Sequence, residues 1–406
     1  MDNTLQRKFY RKEMEVNALL EITQAVNENM PESDLYKIYE FTLRANLQLA
    51  KMVLYVKDDD WECKVQFGTK KDFNKIPLDS TCLDFKTIID VKKADLTITC
   101  FSEFDIIIPV THKDKLLAFL FIKTSSSESE VDTTFIQALS NVILVAIENK
   151  RLARRQLEQQ AVQREMEIAR DVQNYLFPDV LPDTEKLQIK AYYRPCKTVG
   201  GDYYDYLPIA GHNQFMVCIA DVSGKGMPAA ILMSNFQAVL RTLIRSEKSP
   251  EEVIRELNYQ TWKNARGENF ITFFMAVYDF DRKSLRYINC GHNHPVLITK
   301  SGLTTLNEGS TILGAFDPLP FLDMGEVNDL DDFSLFMFTD GLTETFDLAD
   351  EEFGQERLEQ FLLANKDKPL QETHDDLMVA LESFKKGNSF GDDLTFLSCR
   401  VNNVTS

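Results

Sequence analysis

The sequence predicts an α+β protein. Its strands and helices come in blocks instead of alternating strictly, which points to layered sheets and away from a doubly wound one. Two further observations support this. The chain has 406 residues, 44% of them hydrophobic, enough for two or three domains with real cores. A stretch from about 131 to 177 has no proline or glycine and separates two strand-rich regions.

Leu5, Phe9, Val16, Leu19, Val26 and Met30 recur at near-helical spacing and predict an amphipathic entry helix. Pro31-Glu32-Ser33-Asp34 supplies a stop and a new cap, so a second helix is expected at about 34–49. Strands are expected at Met52–Val56, Lys64–Phe67, Asp105–Val110 and Leu116–Ile122, the last two joined by a hairpin-sized connection, Thr111–Lys115. Thr124–Glu130 reads as a loop, and a helix is expected to start near Val131.

Within that helix Leu139, Ile143, Ala146, Ala153 and Leu157 fit a 3-4 seam, with Lys150 in one seam position. The seam falters at Glu158-Gln159-Gln160 and resumes in altered phase through Ile168, Val172 and Tyr175. A helix so long and charged on both sides gains little stability alone. It is expected to form a parallel coiled coil between two protomers, the alternative being a helix packed back on its own domain. Further strands are expected at Leu187–Arg194, Gln214–Ala220, Phe270–Phe280, Ser284–Asn289, Phe333–Phe338 and Leu394–Arg400. Helices are expected near 227–246, 251–265, 354–364 and 371–384.

The net charge of −18 argues against non-specific binding to nucleic acid or to an anionic membrane surface. The seven cysteines are scattered without a CxxC pair, which favours free thiols over a zinc site or a disulfide framework. Residues 1–8 lack the apolar core of a signal peptide, and no apolar run reaches the roughly 20 residues that span a bilayer, so the expected location is cytoplasmic.

Four acidic motifs carry the chemistry: Gly200-Gly201-Asp202, Ala220-Asp221-Val222-Ser223-Gly224, Thr339-Asp340-Gly341 and Gly391-Asp392-Asp393. Each places an aspartate where an apolar strand meets a turn. Carboxylates gathered at strand ends are hard oxygen ligands suited to Mg²⁺ or Mn²⁺. One such motif alone is usually a turn. Gly200-Gly201-Asp202 lacks the Glu-Phe that a nucleotide cyclase hairpin wants next. Phe338–Thr343 lacks the second aspartate of an aspartyl-phosphate phosphatase.

Taken together with Asn289-Cys290-Gly291-His292, and with Glu167–Pro178 upstream, the motifs resemble the SpoIIE-type branch of the metal-dependent PPM serine/threonine phosphatases over about 165–400. That resemblance implies an αββα sandwich with a two-ion Mn²⁺ or Mg²⁺ centre. Asp202 would bind one ion; Asp221 would bridge both, with the Val222 carbonyl as a further ligand; Asp340 and Asp392 would complete the other. Asp205 and Asp393 are expected either to orient metal waters or to cap turns. His292 is a general acid or, with more weight, a histidine fixed in a Gly-His turn. Lys225 is a substrate-facing or a merely solvated charge.

The layout of residues 14–148 resembles a GAF domain, which implies a sensory module with or without a small ligand. The implied partners are a second copy of the chain and a phosphorylated STAS-type anti-anti-sigma protein. The implied regulation runs from the linker onto the helices at 227–265, moving Asp202 and Asp221 relative to one another. The rival readings are a metal-binding pseudo-phosphatase acting as an interaction module and a phosphatase of small metabolites. The domain boundaries expected are 1–148 for the GAF-like domain, 149–180 for the linker and 181–406 for the phosphatase domain.

Overall fold

The computed structural model describes residues 3–47, 49–58, 60–93, 96, 99–113, 115–124, 132–246, 248–265 and 269–403. It divides into two compact units, Met1–Ala161 and Val162–Ser406.

In the first unit α1 (Asn3–Asn27) and α2 (Glu32–Asn46) precede β1 (Leu49–Lys57), β2 (Trp61–Phe67), β3 (Ile89–Asp90), β4 (Ile106–His112) and β5 (Lys115–Thr124). The strands form one antiparallel sheet in the order β2-β1-β5-β4-β3. Side chains alternate between the faces of a strand, and here both faces are covered. Met52, Leu54, Ile108, Leu120 and Ile122 pack against Ile22, Tyr39, Leu43 and Ile136 of the helices. Val53, Tyr55, Ile107, Phe119 and Phe121 pack against Phe73, Cys82, Phe101 and Phe104 from the connecting turns. Burial on both sides explains why these strands read as unbroken apolar runs.

Helix α3 spans Thr133–Asn174. The loop expected from Ser125 and the helix start expected at Val131 lie outside the described residues, as does Asp114 of the hairpin. Leu139 and Ile143 of the expected intermolecular seam are instead fully buried in the core of their own unit. Lys150, the charged intruder in that seam, donates to the Asn29 and Met30 carbonyls at 2.9 and 2.7 Å. It neutralises the partial negative charge at the C-terminal end of α1. Apart from Val142, the exposed apolar positions of α3 begin beyond Lys150 with Leu152 and Leu157 and continue with Val162, Ile168 and Val172, and exposed Tyr175 lies just past its end.

The second unit opens with β6 (Leu187–Arg194), β7 (Tyr203–Ile209), β8 (Gln214–Val222), α4 (Met227–Ile244) and α5 (Pro250–Ala265). Next come β9 (Ile271–Asp279), β10 (Ser284–Cys290), β11 (Val296–Thr299), β12 (Gly302–Thr305), β13 (Gly309–Ser310) and β14 (Gly325–Val327). β15 (Phe333–Phe338), α6 (Asp340–Thr343), α7 (Gly354–Ala364), α8 (Leu370–Lys385) and β16 (Leu394–Val401) complete it.

One sheet runs β13-β10-β9-β8-β7, with β14 also paired to β10; the other runs β12-β11-β15-β16-β6. Phe215, Val217 and Ile219 of β8 face Leu335, Met337, Leu397 and Cys399 of the opposite sheet and form the inter-sheet core. Met216, Cys218 and Ala220, the alternate residues, pack beneath Met233, Phe236 and Leu240 of α4. On the other side Phe336, Phe338 and Phe396 pack beneath Leu358, Leu362, Leu377 and Leu381 of α7 and α8. The layers are thus helix, sheet, sheet, helix.

Helix α4 departs from the expectation that no segment is apolar enough to span a membrane. Its 18 residues have a mean hydropathy of 1.2 and pass that test by length and composition. Its apolar face is committed to the core, with Met233 and Leu240 fully buried.

Candidate metal centre

The four acidic motifs meet at one end of the two sheets. Asp202 immediately precedes β7 and Asp221 is near the end of β8; these strands are antiparallel, with Tyr203 opposite Ala220, so the two aspartates come side by side. Asp340 follows β15 and Asp392 precedes β16, again antiparallel, with Phe338 opposite Phe396. Each sheet contributes a pair. The pairs are tied across the sandwich where Thr339 Oγ1 donates to Asp202 Oδ2 at 2.9 Å and Thr395 Oγ1 donates to the same oxygen. Gly341 packs so closely on this junction that a Cβ there would stand 2.1 Å from the Asp393 carbonyl oxygen. A Cβ on Gly201 would stand 2.8 Å from the Val222 carbonyl oxygen, which brings that carbonyl beside the Gly-Gly-Asp turn.

The electrostatics are those of carboxylates crowded out of water. Burial, then the charges of Asp221 and Asp393, push Asp202 well above the usual carboxylate range. Burial, then Asp340 and Asp392, push Asp221 up to about 7. Asp340 is raised by burial and by Asp392. Asp340 Oδ1 is buried with no hydrogen-bond partner among the described residues. Mutual repulsion and an orphaned oxygen are the condition that divalent cations relieve, so Asp202, Asp221, the Val222 carbonyl, Asp340 and Asp392 fit a Mn²⁺ or Mg²⁺ centre in chemistry. Among the described residues no three acidic, histidine or cysteine side chains yet stand close enough to enclose an ion. Asp202 accepts from two threonines, and Asp392 pairs with Lys225.

The neighbouring residues separate by geometry. Asp393 accepts from the Cys196 and Gly201 backbone N–H groups, both at 2.7 Å, and so clamps the Gly-Gly-Asp turn. Lys225 Nζ lies 2.8 Å from Asp392 Oδ2 and donates to the Gly391 carbonyl at 2.7 Å. Asp205 points away from the cluster, toward α4. It is fully buried and accepts from Arg241 Nε at 2.7 Å, from the Tyr203 hydroxyl and from the Tyr206 N–H. His292 is held by the Asn289 side chain and by Thr272 Oγ1, each at 2.8 Å. Burial lowers its pKa to about 3, so the ring is neutral near pH 7, and its Nε2 is buried with no hydrogen-bond partner among the described residues. His294 is exposed.

Two residues not singled out from sequence join the site to the end of α3. The Gln173 side chain donates to the Gly200 carbonyl at 2.7 Å and accepts from the Gly200 N–H at 3.2 Å. Arg241 donates to the Leu176 carbonyl at 2.9 Å while it holds Asp205. Phe177 packs among Tyr193, Tyr203 and Tyr204. Gln173 sits inside the segment that resembles the family, but nothing in its local sequence marks its amide as the partner of Gly200. A polar cavity of about 620 Å³ lies elsewhere, lined by Gly211, Lys248, Asp279 and Arg286, and contains no residue of the acidic motifs.

Residues 211–402 match the model of the family described as stage II sporulation protein E, SpoIIE, a segment that includes Asp221, Asp340 and Asp392 and begins after Asp202. The chain is 31% identical over 188 residues to "Phosphoserine phosphatase RsbU" of Bacillus subtilis, covering 46% of this chain and 55% of that protein. It is 28% identical over 235 residues to "Protein IcfG" of Synechocystis sp., covering 50% of this chain and 36% of that protein. The chain thus spans about half, or less, of the length of these curated relatives. Among solved structures, the PP2C domain of SiaA from Pseudomonas aeruginosa superposes with a TM-score of 0.54 at 20% identity, over 60% of this chain and 99% of that one. Helix–sheet–sheet–helix layering gives the C-terminal half of this chain a PP2C fold, and residues 211–402 within it are similar to the SpoIIE family.

Proposed function

We propose that the chain is a Mn²⁺- or Mg²⁺-dependent protein serine/threonine phosphatase. The observation that carries this reading is the convergence of Asp202, Asp221, Asp340 and Asp392 at one end of the sandwich, with Asp221 raised to about 7 by burial and then by its neighbours. Two ions held there by these aspartates and the Val222 carbonyl would supply a water nucleophile near neutral pH and neutralise the phosphoryl oxygens. The chain's own residues keep the ligands in place: Thr339 and Thr395 hold Asp202, and Asp393 clamps the turn that carries it. No side-chain nucleophile is required, which accords with a site built from carboxylates rather than from an activated serine or cysteine.

The substrate class we infer is a phosphoserine or phosphothreonine protein, in particular a STAS-type anti-anti-sigma factor. Support comes from the family resemblance and from the similarity to a protein named as a phosphoserine phosphatase. We further infer a cytoplasmic homodimer whose N-terminal unit is a GAF-like sensory module signalling along α3. The exposed apolar positions of α3 beyond Lys150, and the docking of its end on Gly200 through Gln173, support that route.

The test is turnover of a phospho-STAS protein with Mn²⁺, comparing wild type with Asp221→Asn and Asp340→Asn. Each substitution is expected to lower turnover roughly 100-fold or more while the protein stays folded. Equal low release from all three would leave only the interaction-module reading. Equally fast hydrolysis of generic small phosphoesters would favour the metabolite reading.

A further inference from the structure

Lys225 is a cation that meets the carboxylate cluster. Its ammonium touches Asp392 Oδ2 at 2.8 Å and the Gly391 carbonyl at 2.7 Å, and it also acts on the charge of Asp340. The other Asp392 oxygen accepts from the Asp393 N–H at 2.8 Å, which fixes the carboxylate in the orientation that faces the lysine. The loop that presents Lys225 is built for this approach. Gly224 and Gly226 on either side have φ of +94° and +81°, a backbone that side-chain-bearing residues rarely adopt. The pair is partly open to solvent, at 37% and 32% side-chain exposure, so the contact is exchangeable rather than locked in a core.

An ammonium in contact with a carboxylate oxygen repels a divalent cation brought to that same oxygen, and the repulsion is strong at that range in a partly buried site. Resting on the metal-centre reading above, we propose that Lys225 competes with a divalent cation for Asp392, so that loading the ion position served by Asp392 requires displacing the lysine. Lys225 is then a positioning residue that sets the metal concentration at which the centre assembles.

The experiment is a calorimetric Mn²⁺ titration of the full chain as wild type, Lys225→Gln, Lys225→Arg and Asp340→Asn, with folding checked by circular dichroism. Lys225→Gln is expected to bind roughly 2- to 5-fold more tightly, the range that removal of a partly exposed ion pair supports. Lys225→Arg is expected to bind as wild type does. Unchanged or weaker binding by Lys225→Gln overturns the proposal, since a merely structural or ligand-supporting lysine gives one of those results. Asp340→Asn separates the two readings: if it binds like wild type, the metal centre itself is refuted, whereas lost binding there with an unmoved Lys225→Gln refutes only the competition. As a measurement free of substitutions, acylation of Lys225 followed by mass spectrometry is expected to speed up on adding Mg²⁺; an unchanged rate counts against displacement.

Discussion

Asp221 shows how one residue links stability, pH and metal. Its pKa of about 7 in the folded protein is far above the roughly 3.9 of an unfolded aspartate, because burial and then Asp340 and Asp392 disfavour its charge. A carboxyl raised in this way contributes stability below the unfolded pKa, and that contribution is lost as pH rises through about 7. In a chelating buffer the unfolding midpoint is therefore expected to carry a component that falls between about pH 4 and pH 8. A saturating divalent cation reverses the repulsion, so its stabilising effect is expected to grow over the same interval. His374 works in the opposite sense: burial depresses it to about 4, so its contribution is present above the unfolded histidine pKa and is lost as pH falls. Taking the difference between midpoints with and without Mg²⁺, by scanning calorimetry at pH 5 and pH 8, cancels the histidine. Equal cation stabilisation at both pH values would refute the assignment of Asp221. The four aspartates were legible in the sequence because glycine and an apolar run frame each of them. The roles of their neighbours were not, since whether Asp205 or Asp393 faces the cluster depends on which way a strand residue points and on partners far along the chain.

At the scale of elements, long apolar strands and amphipathic helices were legible, and β6, β8, β9, β15 and α7 fall close to where periodicity puts them. β7 was missed because Tyr203-Tyr204-Asp205-Tyr206 reads as part of a polar motif, and its strand character comes from pairing with β8. The docking of α3 onto the sandwich was hidden for a related reason: Arg241 and Asp205 lie 36 residues apart, on a helix and a strand whose contact is tertiary. That ion pair joins α4, β7 and the Leu176 carbonyl in one network. Removing its cation leaves Asp205, fully buried, with the neutral Tyr203 hydroxyl and Tyr206 N–H as partners of its side chain in place of a charge. Arg241→Met is expected to cost about 3 kcal/mol or more of unfolding free energy, the usual result of stranding a buried charge. Adding Asp205→Asn is expected to recover part of that loss. Denaturant unfolding of the single and double variants measures both, and strict additivity of the two substitutions would show that the pair is not coupled.

For the whole molecule, the proposed dimer rests on how α3 divides its residues between its own unit and a second chain. Before Lys150 the helix buries Leu139 and Ile143 in the core of its own unit, so those residues have nothing to offer a second chain. Farther along, Ile168, Val172 and Tyr175 are 64%, 57% and 77% exposed, spaced by four and three residues, while Gln173 between them is turned inward onto Gly200. A solvated helix gains little from exposed isoleucine and valine, whereas a parallel partner helix would cover them at this spacing. Val172→Glu is therefore expected to shift the protein from dimer to monomer in sedimentation equilibrium, because it places like charges face to face in the seam. Gln173 is adjacent in sequence but faces the other way, so Gln173→Ala is expected to leave the mass unchanged while lowering phosphatase turnover through the Gly200 turn. If Val172→Glu stays dimeric, the seam is not the interface. If both substitutions alter mass and turnover together, the two faces of α3 do not act separately, and the assembly signal cannot be read apart from the positioning of Asp202.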